Sequence, residues 1–221
     1  MPLTNPSPFG RRWPRCEASR TGEGFLSAGK DPSSGADCVR ATFSHKGRRE
    51  ESHDGSSDRQ HVVVDLSEEA LKAAKAADNA LGKQKEPGPL HGVPITIKEN
   101  VDYEGRPNPN GVAAQMNIVA PSDAPVVRNL KKAGAIVIGL TNTPEFSFRG
   151  FTDNPLHGLT LNPWDPDITC GGSSGGAGAA VAAGIGTIAH GNDIGGSLRW
   201  PAHCNGVVTI NAIDQTLQQI L

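Results

Sequence analysis

Glycine pairs flank serine twice in the second half of this 221-residue chain: "GGSSGG" carries Ser173 and Ser174, and "DIGGSLR" carries Ser197. An alcohol attacks an electrophilic carbon poorly until a neighbouring group takes its proton, so a serine placed for chemistry needs a base within reach. Ser173 and Ser197 lie 24 residues apart, joined by an alanine-rich stretch and "GTIAH". These fit a helix and a short strand, a hop that can return the chain to the same sheet edge with both serines facing one pocket.

Other chemistries fit parts of the same stretch less well. "GSSGG" matches the G-x-S-x-G elbow centred on Ser174, with His190 or His203 as the nearby base. That elbow should follow a hydrophobic strand, whereas "NPWDPDIT", full of prolines and aspartates, precedes it. A phosphate cradle lacks the GxxxxGK[ST] and GxGxxG spacings. Cys170, His190, His203 and Cys204 are metal-ligand types, but adjacent His203 and Cys204 cannot easily both point at one ion, so no metal is expected. His157, His190 and His203 read as packing or surface residues, Asp193 with Arg199 as a structural ion pair, and Asn142 and Glu145 as side chains that fix loops beneath the site.

The elements that must position these residues follow α/β grammar. "VVVDLSEEALKAAKAADNALG" is predicted to be helical, with Asp65 capping against Glu68, Leu71, Ala74 and Leu81 on one face, and Gly82 as the stop. "GVPITIKEN" reads as a short buried strand in which Val93, Ile95 and Ile97 alternate with Thr96 and Lys98. In "SDAPVVRNLKKAGAIVIG", Ser122 is the expected cap and Pro125 opens the first turn. Val126, Val127 and Leu130 form its apolar stripe, Gly134 ends the helix, and "AIVIG" is the next strand. Strand, helix, strand in that order predicts parallel strands with covering helices.

Composition narrows the class. A hydrophobic fraction of 36% and a formal charge of -2 fit a soluble chain with no electrostatic pull toward nucleic acid or anionic lipid. The longest apolar stretch is mostly alanine and glycine, too weakly hydrophobic to span a bilayer. Cys16, Cys38, Cys170 and Cys204 show no paired spacing and the N-terminus no apolar leader, which points to plain thiols in a reducing, cytoplasmic setting. Residues 1–60 carry mixed charge and many Gly, Pro and Ser with hardly an apolar cluster, and are expected to be disordered.

"GGSSGGAGAAVAAG" followed by "GNDIGGSLRWPA", together with "GPLHGVPITIKEN", "AGAIVIGLTNTPEF" and "GLTLNPWDP" in that order, resembles the amidase signature family from about Val62 to about Thr209. The resemblance implies hydrolysis of a carbon–nitrogen amide bond in a small molecule, through a Ser-cisSer-Lys triad and an acyl-enzyme, without a cofactor. It puts Ser197 in the place of the nucleophile, Ser173 in that of the bridging hydroxyl held on a cis peptide, and Lys98 in that of the base. It implies an oxyanion hole from the backbone amides of Ile194, Gly195, Gly196 and Ser197, and a supporting hydroxyl from Ser174. Physical chemistry makes the lysine role workable: keeping its amine neutral at pH 7 costs about 4 to 5 kcal/mol, and burial lowers a lysine pKa by as much as ~3 to 5 units.

The implied architecture is a partial amidase-signature core at residues 61–210, α/β, with a mostly parallel or mixed sheet and covering helices. Residues 1–60 do not resemble the family, and residues 211–221 form a divergent tail where the family continues into a long second half. An incomplete core is expected to leave apolar surface uncovered and to self-associate. The alternatives are a catalytically inert or partner-dependent fragment, or a fragment resembling the A-type polypeptide of an aminoacyl-tRNA amidotransferase.

Overall fold

The computed structural model describes residues 61–81 and 87–211, so the expected disorder of residues 1–60, the Gly82 stop, Cys16, Cys38 and all of the tail but Asn211 lie outside the described residues. Four strands, β1 (Val62–Asp65), β2 (Pro94–Lys98), β3 (Ile136–Thr141) and β4 (Ile188–Ala189), form one sheet in the order β1-β3-β2-β4. β2 runs parallel to both β3 and β4, whereas β1 is antiparallel to β3. The helices are α1 (Ser67–Leu81), α2 (Pro125–Lys132), α3 (Gly175–Ala182) and α4 (Arg199–Asn205). The mixed α/β sheet with covering helices is the predicted class.

Both faces of β3 are buried. Ile136 and Ile138 pack with Ala70 and Ala74 of α1 and Ala180 of α3, while Val137 and Leu140 pack with Ile95, Ile97, Leu66 and Val127 of α2. Two-sided covering explains why all five residues of β2 are buried, its polar members Thr96 and Lys98 included, as the reading of a short buried strand expected.

Local corrections follow. Val62–Asp65 is an edge strand and not the first turn of the helix: three consecutive β-branched valines are stiff at χ1 and favour extended backbone. The Asp65 carboxylate accepts a hydrogen bond from the Ser67 amide at 2.9 Å, turning the chain from strand into helix. The buried face of α1 is Ala70 and Ala74, while Leu81 is exposed. Ser122 does not cap α2: the N-cap is Ala124, without a side-chain bond, and Pro125 supplies the preset first turn. Gly134 follows the helix with φ +94°, as its stop role requires.

Candidate active site

The site gathers at the end of β2. Lys98 closes that strand at 0% exposure, and its Nζ lies 2.7 Å from Ser173 Oγ, 3.2 Å from Ser174 Oγ and 2.9 Å from Asn192 Oδ1. Ser173 and Ser174 are delivered by the turn that opens α3, where the Gly172–Ser173 peptide is cis. That turn sits tightly on the end of β3: a Cβ on Gly176 would lie 2.5 Å from the Asn142 nitrogen and 2.6 Å from its oxygen. The chain at Gly191 also approaches the serines closely: a Cβ there would fall 2.6 Å from Leu198 Cδ2 and 2.8 Å from Ser174 Oγ.

Asn142 is fully buried and organises the loops behind the serines, as expected. Its Nδ2 donates to Gly158 O and Thr160 Oγ1, and its Oδ1 accepts from the Thr143 amide and from Asn154 Nδ2. Glu145 takes no part in that network; it is partly exposed and pairs one turn away with Arg149 at 3.5 Å.

Ser197 is placed by its backbone, whose carbonyl accepts the Ser174 amide at 3.2 Å. Among the described residues its hydroxyl makes no hydrogen bond, so the structure brings Lys98, Ser173 and Ser174 into one network and sets the Ser197 main chain against it. The loop before it is stapled by Asp193, which accepts from the amides of Gly196 (2.6 Å), Leu198 (3.1 Å) and Arg199 (3.2 Å). Arg199 completes the pair with Nε and Nη2 at 3.0 and 3.1 Å, the structural ion pair expected. One of the four amides of the implied oxyanion hole is therefore occupied: Gly196 N–H points at Asp193. The amides of Ile194, Gly195 and Ser197 have no acceptor among the described residues, and the Ile194 side chain is wholly exposed.

Electrostatics separates the candidates. Burial lowers the Lys98 pKa to about 7, with the Asp193 charge opposing the shift. The Arg199 hydrogen bonds, and then the three amides, hold the Asp193 carboxyl well below the usual range despite its burial. Burial, with the Lys98 charge second, lowers His190 to about 4 and leaves its ring neutral. The Cys170 thiol is pushed up to about 12, chiefly by burial, and is no nucleophile near neutral pH.

The histidines do not make an elbow. Ser174 Oγ bonds to Lys98 and to Asn192 O, His203 stacks on Trp200 with ring centroids 6.0 Å apart, and His157 Nε2 lies 2.7 Å from the buried Glu99. No group of three His, Cys, Asp or Glu side chains able to hold a metal ion occurs among the described residues. Sequence reasoning missed Asn192, Asn100 and the Glu99–His157 pair. Asn192 had one available signal, its place inside "GNDIGGS" beside Asp193.

The model of the Amidase family matches residues 54–210. An indoleacetamide hydrolase of Bradyrhizobium diazoefficiens is 87% identical over 149 residues, 67% of this chain and 28% of that protein. An acylamidase of Rhodococcus erythropolis is 44% identical over 164 residues, 72% of this chain and 33% of that protein. A solved amidase structure superposes with a TM-score of 0.69 at 33% identity, over 78% of this chain and 38% of that one. The chain thus spans about 28 to 33% of the length of these two relatives.

Proposed function

This chain belongs to the Amidase family, and from that premise we propose that it hydrolyses a carbon–nitrogen amide bond to a carboxylic acid and ammonia or an amine. The observation that carries the reading is the fully buried Lys98 amine 2.7 Å from Ser173 Oγ, with its pKa lowered to about 7. At neutral pH a large fraction of that amine is uncharged and able to accept a proton.

In the proposed reaction Ser173 O–H gives its proton to Lys98 Nζ and takes one from Ser197. The Ser197 oxygen bonds to the amide carbon, and the carbonyl electron pair moves onto oxygen. The free amides of Ile194, Gly195 and Ser197 receive that charge, each donor being typically worth about 2.7 to 4 kcal/mol in the transition state. Lys98 returns its proton, through Ser173, to the departing nitrogen, leaving an ester on Ser197 that water opens by the same relay.

Indoleacetamide is the first substrate to test, on the strength of the 87% identity to an indoleacetamide hydrolase. A fluorophosphonate label followed by peptide mass spectrometry tests the assignment. An adduct on Ser197, lost in Ser197→Ala, is expected. An adduct on Ser174 contradicts the nucleophile assignment, and no adduct favours an inert or partner-dependent fragment.

A further inference from the structure

We propose that Asn192 is a positioning residue that turns the lone pair of the uncharged Lys98 amine onto Ser173; the inference rests on the hydrolysis reading above. A neutral amine presents two N–H groups and one lone pair, and three oxygens surround Nζ: Ser173 Oγ, Ser174 Oγ and Asn192 Oδ1. An amide oxygen only accepts, so Asn192 Oδ1 takes one N–H. Ser174 gives its own proton to the Asn192 backbone carbonyl at 3.3 Å, so its oxygen must accept the second N–H. The lone pair is left facing Ser173, whose O–H donates to it. One residue thus supplies both acceptors that fix the direction of proton flow.

This logic requires the Asn192 amide to keep its oxygen toward Lys98, because the flipped amide would aim an N–H at the lone pair. Neighbouring hydrogen bonds set that orientation. Asn192 Nδ2 donates to Asn100 Oδ1 at 3.0 Å, and Asn100 Nδ2 donates back to Asn192 Oδ1 at 3.3 Å. Asn100 is itself oriented by Ser147, whose hydroxyl donates to Asn110 Oδ1 at 2.9 Å and accepts from Asn100 Nδ2 at 3.1 Å. Donation therefore runs unbroken from Lys98 through Asn192, Asn100 and Ser147 to Asn110.

The charged or titratable groups facing the amine are Asp193, which favours its ammonium form, and His190, whose ring is neutral near pH 7. Glu99, the residue that follows β2, is turned to His157 and to the Gly111 amide.

Two substitutions separate positioning from bulk structure. Asn192→Asp keeps the shape and only accepts, so the lone pair stays directed at Ser173 while the new charge favours the ammonium form. The acid limb of kcat is expected to move up by about one pH unit or more, with the alkaline plateau within about threefold of the parent. Asn192→Ala is expected to lower kcat by about ten- to a hundredfold at an unchanged KM, with no upward movement of the limb. Asn100→Ala, which frees the amide without touching Lys98, should lower kcat in the same sense. Parental kcat in Asn192→Ala or Asn100→Ala, or equal plateau losses in the Asp and Ala variants, overturns the proposal. Independently of turnover, the 13Cε titration of Lys98 must move up in Asn192→Asp, and an unmoved midpoint also overturns it. A parent chain that turns over no amide sinks the hydrolysis reading instead, and turnover that survives Ser197→Ala sinks only the assignment of Ser197 as nucleophile.

Discussion

Lys98 is a buried amine that the proposed reaction uses and that folding resists. The unfolded chain holds the Lys98 proton up to its ordinary value of 10.5, whereas the folded chain releases it near 7. Between those values the unfolded state binds more protons, so stability rises with pH, and below the folded pKa the penalty is constant at about 5 kcal/mol. Lys98→Met removes the titration. In urea unfolding, the parent should gain about 2 to 3 kcal/mol from this group between about pH 6 and about pH 9, and the variant should lack that increment; parallel pH profiles would count against a buried, depressed lysine. Activity carries the same signature: kcat should fall with acid below about pH 7, as the amine gains its proton. Lys98→Ala should lower turnover by about 10² to 10⁴-fold, the usual contribution of a positioned base, checked by steady-state kinetics.

Among the elements, tight seating of the α3 turn on the end of β3 makes the serine cluster possible. Gly176→Ala places a methyl against Asn142 backbone and, since backbone cannot swing away like a side-chain tip, should cost about 1 to 3 kcal/mol or more. A denaturation midpoint equal to the parent's would refute that. Much of this level was legible in the sequence. Pro125 and Gly134 bracket α2, and the glycine-flanked serines mark a close approach of backbone. The unread parts depended on partners distant in the chain. The edge strand β1 exists because β3 offers a free side to three valines. Asn192 and Asn100, 92 positions apart, acquire their meaning only from each other.

Across the molecule, several large apolar side chains stand open on the described surface. Phe148 is 90% exposed, Ile194 is wholly exposed, and Phe146, Phe151 and Trp200 are also open. The Phe and Trp segments flank one turn: Cβ atoms on Gly172 and Gly171 would lie 2.6 Å from the Phe151 nitrogen and 2.9 Å from the Pro201 nitrogen. Contiguous exposed apolar patches mark surfaces prone to association. Sedimentation velocity should show concentration-dependent self-association that Phe148→Asp weakens, and a strictly monomeric chain at high concentration would exclude it. The sequence could not say which phenylalanines are exposed, because exposure depends on what the fold leaves beside each ring.

The most direct test of the central claim is the titration of Lys98 itself, followed by NMR in protein carrying 13C-labelled lysine and assigned by comparison with Lys98→Met. A midpoint near 7 is expected. A midpoint at the ordinary lysine value of 10.5 would contradict it, since the amine beside Ser173 would then be an ammonium ion with no lone pair to offer.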